Sequence, residues 1–540
     1  MQRERMQRER SFWGWGWADR LPARAERAGL GQQVGALLGF TPAPADPVPM
    51  EAVTLAPARV APPARLGGLV RDDREGRIRQ CYGKAYRDQV RAFRGDFAAA
   101  PDLVARPTSE AEVEAVLDWA AGARVAVVPF GGGTSVVGGV ECAGEGFAGV
   151  LSLDVRGLDR VRAIDGVSGL ALLQAGMEGP AIEAALSPHG LTLRHYPQSF
   201  EFSTLGGWIA TRAGGHFATL YTHIDELVAG TRMLTPAGVF ETRPLPGSGA
   251  GPSPDRLVLG SEGALGVITE AWMRVRPRPR WRAQAAAHFA DFDAGVAATR
   301  ALAQSGLYPS NCRLLDGREA MLSGVAGDGR AVLLVAFESA DHPLDAWMAR
   351  AMEVVADHGG VSPKGPRFRE EAAGRGAEAA GGDAVGAWRG AFLEAPYLQS
   401  TLVSLGVVAD TFETACSWAA FGALHAAVKQ AVRGAMKAAC GGGYLGCRFT
   451  HVYPDGPAPY YTFVAPGRAG AELDQWAAIK AAASEAILAH GGTITHHHAV
   501  GRVHRPWADR QRPALHTAAL RAVKGALDPA GILNPGVLIG

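Results

Sequence analysis

No Cys-x-x-Cys pair occurs in this 540-residue chain; its six cysteines, Cys81, Cys142, Cys312, Cys416, Cys440 and Cys447, stand far apart. Such spacing argues for free thiols in a reducing compartment. There is no charge excess either, with 54 basic against 53 acidic residues. Electrostatics therefore give no case for nucleic acid or a membrane surface as partner. No apolar run is long enough to span a bilayer, the N-terminus has no apolar signal core, and no Ser-Lys-Leu address closes the chain. These absences lead to the expectation of a cytoplasmic protein with no transmembrane segment.

What is present is enough apolar sequence, 47%, for more than one buried core. A tandem Met-Gln-Arg-Glu-Arg (1–5 and 6–10) reads as a disordered lead. Trp13, Trp15 and Trp17 alternate with glycine and are expected to pack against the body, ahead of a proline-rich linker at 42–66. Thr108 or Ser109 caps an expected helix at 113–121. Strands are expected at 125–128, 148–154, 161–165 and 169–174, and a helix at 179–186. The stretch 363–390 reads as loop or weak helix. Beyond it, strands at 402–408, 447–453 and 460–464 flank a helix at 419–439, and a last helix covers 513–527. The division that follows is an extension at 1–97, a first domain at 98–280, a second at 281–500 and a terminal segment at 501–540 that returns to the first. The fold class is α+β.

Three glycine-bearing turns stand out. The first follows the strand at 125–128 and reads Phe130-Gly131-Gly132-Gly133-Thr134-Ser135-Val136. Glycine lets the backbone approach a ligand, and successive N–H groups make a nest for a pyrophosphate. The spacing is not the G-x-G-x-x-G of a Rossmann turn, and an ordinary glycine-rich turn is the alternative. The second is Gln198-Ser199-Phe200-Glu201-Phe202-Ser203-Thr204, followed by Leu205-Gly206-Gly207 and Thr211-Arg212-Ala213-Gly214; the third is Glu262-Gly263-Ala264-Leu265-Gly266-Val267-Ile268. A triplet, His496-His497-His498, offers acids and bases near neutral pH. Its alternatives are structural hydrogen bonding and metal binding. Metal is disfavoured because an extended segment turns alternate side chains apart, so no metal site is assigned.

Those turns, the terminal Asn534-Pro535-Gly536, and the runs Phe412-Glu413-Thr414, Tyr460 and the triple histidine resemble the vanillyl-alcohol oxidase and p-cresol methylhydroxylase flavoproteins. Among these, the alkyldihydroxyacetonephosphate synthases are the group most similar to it. The resemblance covers residues 70–540 and implies an FAD-binding domain of two subdomains (p-cresol methylhydroxylase type) with a separate α+β cap domain. It implies FAD contacts along the three turns. The first loop has neither His nor Cys, so FAD is expected to be non-covalent; His195 lies elsewhere and is read as structural. The implied reaction exchanges the acyl chain of acyl-dihydroxyacetone phosphate for a fatty alcohol. In it Tyr460 takes a proton, Arg313 binds an anionic group, and His496, His497 and His498 manage protons. A phenol acting as base needs a lowered pKa, which a nearby cation would supply; Tyr460 as a core aromatic and Arg313 in a surface ion pair are the alternatives. Two departures stand out: Gln399 where the synthases carry an arginine, and Gln198 where an aspartate is expected. They keep open an FAD-linked oxidoreductase acting on a 2-hydroxy acid or alcohol. The partners expected are a small or lipid-like substrate and, in a homodimer, a second copy of the chain.

Overall fold

Local signals place the first sheet. Ser109 accepts from the Glu112 amide and starts the helix Glu110–Ala123, an arrangement in which the hydroxyl satisfies one orphan N–H. The computed structural model describes residues 8–217, 219–370 and 384–539. Strands β1 (Val70–Arg71), β2 (Leu103–Ala105), β3 (Val125–Phe130) and β4 (Gly149–Asp154) form a sheet in the order β1-β2-β4-β3, parallel except for β1. The near-continuous burial of β3 and β4 suits strands covered on both faces. The C-terminus returns to this sheet: the Val127 amide donates to the Ile532 carbonyl and the Asn534 amide to the Val127 carbonyl, each at 2.8 Å.

A second, antiparallel sheet takes in β5 (Val161–Asp165), β6 (Leu170–Gln174), β8 (Val228–Thr235), β9 (Gly238–Glu241) and β10 (Val267–Arg274), ordered β5-β6-β10-β8-β9. β7 (Leu191–Thr192) and β11 (Arg276–Pro277) make a short ribbon beside it. The third sheet is antiparallel and ordered β15-β12-β14-β13-β17-β18-β16. Its strands are β12 (Trp281–Phe289), β13 (Asn311–Leu315), β14 (Ala331–Ser339), β15 (Arg367–Glu370), β16 (Val407–Glu413), β17 (Tyr444–Val452) and β18 (Pro457–Pro466).

One face of the third sheet packs on the helices Phe292–Gln304, Asp345–Asp357, Trp418–Cys440 and Glu472–Ala489, through side chains such as Cys312, Leu314, Phe449 and Tyr461. Alternation then sends Arg313, Arg448 and Tyr460 to the other face. A bulge between Phe449 and His451 breaks the alternation, so Thr450 and His451 both reach that face, as bulges beside functional sites commonly arrange. This second face is roofed by the helix Ala384–Ser404, whose Trp388 and Leu402 pack on the strands together with Leu405 just past its end.

The apolar stretch at 402–408, expected as one strand, is instead the end of that helix and the start of β16, separated by Gly406 at φ +67°. Both elements bury their apolar residues, so hydrophobicity alone does not mark the break. Within 363–390, β15 and the start of the helix are ordered elements, and residues 371–383 lie outside the described ones. Of the lead expected to be disordered at 1–10, residues 1–7 lie outside them too, while residues 8–10 are held in place by pairs such as Arg8–Asp19 and Arg10–Glu178. From residue 8 onward the N-terminal segment is a strap. Arg10 pairs with Glu178, Trp17 Nε1 donates to Glu201 Oε1 at 3.0 Å, and the Trp15 amide donates to Ser400 Oγ at 2.9 Å. It thus ties the loops at Glu178 and Glu201 to the roof helix, with all three tryptophans buried. All six cysteines are free. Among the described residues no helix is long and apolar enough to cross a membrane.

Candidate active site

The three glycine turns converge on one cleft. A Cβ on Gly131 would stand 2.3 Å from Thr204 Oγ1, and one on Gly132 would stand 1.9 Å from the Phe202 carbonyl oxygen. The first and second turns therefore pack back to back, which only glycine permits. Ser135 Oγ accepts from the Gly139 amide at 2.8 Å and tightens the first loop. Asn534 Nδ2 donates to the Gly139 carbonyl at 3.0 Å and to the Glu262 carbonyl at 2.7 Å, so one side chain holds the first and third turns in register.

The cleft is lined by Phe130 to Val136, Gln198, Ser199, Ser203, Thr204, Thr211, Ala213, Gly214, Glu262, Gly263 and Gly266 to Ile268. The other expected contacts face away. Phe200 stacks on Trp208, Phe202 meets Trp17 edge-on, and Glu201 accepts from Trp17. Arg212 pairs with Asp225, and Ala264 and Leu265 are buried in the apolar core. In a turn or strand start only part of a run can face the ligand, which the linear motif does not reveal. Gln198 donates to the Phe392 carbonyl at 3.0 Å. His195 is buried edge-on to Trp208 outside the cleft, with burial lowering its pKa to about 3.

The opposite wall comes from the third sheet. Arg313 is 1% exposed; Nη2 donates to the His216 carbonyl at 2.8 Å, while Nε and Nη1 have no protein acceptor. Burial, and then nearby Arg448, bring its pKa down to about 9. Two unpaired N–H groups on a buried guanidinium that lines the cleft call for an anion. Trp388 and Phe392 lie beside the same guanidinium, at 5.5 and 5.3 Å. Arg448 pairs with Glu319 and lies 4.0 Å above the Tyr460 ring, whose hydroxyl donates to Thr411 Oγ1 at 2.8 Å. Burial nevertheless raises the Tyr460 pKa, against the pull of Arg448 and Thr411. The lowered phenol pKa expected from a neighbouring cation is therefore not reached.

His496, His497 and His498 follow the helix Glu472–Ala489 on a bent segment anchored by the buried Glu413 of β16. Its carboxylate accepts from Thr495 Oγ1 at 2.6 Å and from the amides of His496, His497 and His498 at 2.7, 3.2 and 3.0 Å. Burial pushes the carboxyl up, but the His498 and His496 rings, whenever they carry a proton, and these donors outweigh it and hold its pKa below the usual carboxylate range. His497 stacks on Tyr460 at 6.0 Å and His498 meets it edge-on at 5.3 Å, and both line the cleft. Burial depresses all three imidazole pKa values.

Strand alternation did not anticipate that nitrogens of His451, His496 and His497 come within 4.8 Å of one another, because the segment is bent and the third ring comes from β17. Those nitrogens are already engaged. His496 Nδ1 faces His497 Nδ1 at 2.9 Å, and His451 Nε2 faces the Gly215 carbonyl at 3.0 Å. A carbonyl acceptor requires hydrogen on that Nε2, so the cluster is a hydrogen-bonded network. Sequence reading missed His451, Arg448, Thr411 and Trp15, each a single residue inside or far from an element. Its only hints were an arginine and a histidine within the apolar run at 444–452.

Neutral N–H and hydroxyl donors surround the first half of the cleft. Its one carboxyl, Glu262, has a pKa raised to about 7 by burial against the Val500 and Gly501 amides, which weakens its repulsion of a pyrophosphate. Those residues fit FAD, with the glycine turns around the pyrophosphate and the two walls around the flavin. Fold and site together define an FAD-dependent enzyme. Residues 101–242 match the FAD binding domain family and residues 278–538 the C-terminal domain of FAD linked oxidases. The chain is 32% identical to alkyldihydroxyacetonephosphate synthase of Trypanosoma brucei brucei, over 87% of this chain and 78% of that one. It is 31% identical to the synthase of Dictyostelium discoideum, over 88% and 79%. A solved alkyldihydroxyacetonephosphate synthase superposes with a TM-score of 0.78 at 25% identity, covering 97% of this chain and 98% of that one. The chain belongs to the FAD-linked oxidase family.

Proposed function

We propose that the protein is an alkyldihydroxyacetonephosphate synthase, replacing the acyl chain of acyl-dihydroxyacetone phosphate by a fatty alcohol. The observation that carries this reading is the cleft itself. It runs from the glycine turns past the unpaired N–H groups of Arg313 to apolar surface under the roof helix, formed by Trp388, Phe392, Leu402 and Val464. One substrate bearing a phosphate and a long chain satisfies both ends. FAD, held by the glycine turns, would supply its isoalloxazine ring to an exchange that has no net redox change.

In this reading Arg313 pairs with the substrate phosphate and fixes its orientation. Burial keeps the Tyr460 phenol protonated and His497 and His498 neutral. The lone pairs ready to accept a proton are therefore those of the imidazoles, with the Tyr460 hydroxyl donating to Thr411 and presenting its oxygen lone pairs to the substrate. Gln399 accepts from Trp15 Nε1 at 3.1 Å and from Gln89 Nε2 at 2.9 Å. Its role here is to hold the strap, and anion binding falls to Arg313. The first loop has neither His nor Cys, which supports non-covalent FAD. A cytoplasmic location and a homodimer complete the proposal, to be checked by cell fractionation and light scattering.

The test is incorporation of labelled fatty alcohol by purified yellow protein supplied with acyl-dihydroxyacetone phosphate. Incorporation without flavin bleaching is expected. Anaerobic bleaching by a 2-hydroxy acid, with no incorporation, would establish the oxidoreductase instead.

A further inference from the structure

The exchange proposed above has a proton left over. The C1–O bond to the acyloxy group breaks, the C1–O bond to the alkoxy group forms, and the hydrogen of the alcohol must leave. Ester plus alcohol gives ether, carboxylate and one proton per turnover at neutral pH. That proton is released inside a buried cleft.

We propose that His497, His496 and His223 form a relay that carries it to the surface. His223 Nδ1 lies 3.0 Å from the Arg212 carbonyl, which accepts only, so Nδ1 bears the hydrogen and Nε2 the lone pair. His496 Nε2, at 3.1 Å, then donates to that lone pair. Its Nδ1 is left as acceptor for His497 Nδ1–H at 2.9 Å. His497 Nε2 is thereby left with a lone pair on the ring that lines the cleft. The Arg212 carbonyl, together with a Tyr453 hydroxyl that donates to Thr222 Oγ1 and accepts from His496 Nε2, thus sets three tautomers in the sense needed for outward transfer.

A proton taken by His497 Nε2 is matched by transfer of the Nδ1 hydrogen to His496. The His496 Nε2 hydrogen moves on to His223, and each ring remains whole. His223 is half-buried beside the exposed Tyr221 and Glu226, and its Nδ1–H meets the Arg212 carbonyl at the surface, so the Nδ1 hydrogen leaves to water as Nε2 takes up the incoming one; the three rings, then in the opposite tautomers, turn over before the next passage. Tyr453 OH lies 2.6 Å from His496 Nε2 and 3.1 Å from Thr222 Oγ1, bracing the middle ring. The charges facing the path are Glu413, with its carboxylate 3.5 Å from His497 Nδ1, Arg448 and Arg313 on the cleft side of His497, and the Arg212–Asp225 pair at the outer end. Glu413 stabilises the passing cation, and burial keeps the rings neutral between passages.

The relay rests on the synthase reading, and His223→Ala tests the two separately. In FAD-loaded enzyme with an unchanged visible spectrum, kcat for exchange should fall roughly tenfold, the low end for a positioned proton-transfer group, with both KM values unchanged. Added imidazoles should restore the rate in order of their pKa. Unchanged kcat, or a loss that no imidazole restores, overturns the relay. Absence of exchange in the unmodified enzyme overturns the synthase reading instead. The relay is then judged by stopped-flow pH jumps without substrate, followed by flavin absorbance. His223→Ala should slow that response, and an equal rate in both proteins overturns the relay.

Discussion

The two walls of the cleft are built on opposite plans. On the FAD side, three short contiguous turns present backbone, and glycine is needed where turn meets turn. On the cap side, single residues from β13, β16, β17 and β18 present side chains, held by the sheet and by burial. Backbone recognition tolerates little change in shape and much in chemistry; the cap wall behaves the other way round. Substitutions should therefore separate cofactor loss from activity loss.

The largest effect belongs to the FAD side. Gly132→Ala places a Cβ 1.9 Å from the Phe202 carbonyl oxygen, and backbone cannot yield as a flexible side chain can. We expect the turns to separate, with ~1–3 kcal/mol of destabilisation from the overpacking alone, and purified protein that is colourless. Normal flavin absorbance per mole of this variant would show that the turns are not locked together. Arg313→Met should do the reverse. It removes a buried cation with two unpaired N–H groups, a costly arrangement in the ligand-free site, so Tm should rise while FAD is retained. Exchange activity should fall about a hundredfold, by ~3 kcal/mol of lost charge-assisted binding. A fall in both Tm and flavin content would mean that Arg313 braces the fold.

Two buried glutamates sharpen the contrast, since each walls the segment 495–501 from one domain. Glu413 gathers four donors and is held below the usual carboxylate range, whereas Glu262 has two amides against full burial and rises to about 7. The signs are opposite. A depressed carboxyl stabilises the fold above its unfolded pKa, about 4.3, and that contribution is lost as pH falls through its folded value. A raised one favours the fold below that pKa and loses its contribution as pH climbs through 7. Glu413→Gln should accordingly flatten Tm against pH below about 4.5, and Glu262→Gln should flatten it between about 4.5 and 7. Thermal melts across the pH range read both, and exchange of the two windows would refute the assignment.

The same difference explains what the sequence revealed. The cradle was legible because a nest and its packing need contiguous glycines and hydroxyls, which stay adjacent in the chain. Even there, alternation hid that Phe200, Phe202 and Leu265 point into apolar packing. His496 to His498 were visible as a run, yet the rings that give them meaning, His451 and His223, reach them only through the bulge in β17 and the turn before β8. The boundary at Gly406 was hidden because helix end and strand start bury equally apolar residues. Tyr460 was found by resemblance, and its raised pKa follows from burial, which a linear sequence does not display.

The smallest expected effect tests whether the strap belongs to the cap wall or merely ties the walls together. Trp15 lines the cleft beside Gln399, donates Nε1 to its amide oxygen, and lies one residue from Gly16, where a Cβ would stand 2.3 Å from Tyr397 Oη. It is anchored by its backbone as well, through Ser400. Trp15→Ala should therefore leave the strap in place and open space at the side of the cleft. If Trp15 shapes the substrate end, KM for fatty alcohols should change by a few-fold, corresponding to ~1 kcal/mol, and differently for short and long chains. Flavin content and kcat should hold. A uniform change across chain lengths, accompanied by flavin loss, would instead place Trp15 with the cofactor turns, and the strap would then belong to the backbone-built side of the molecule.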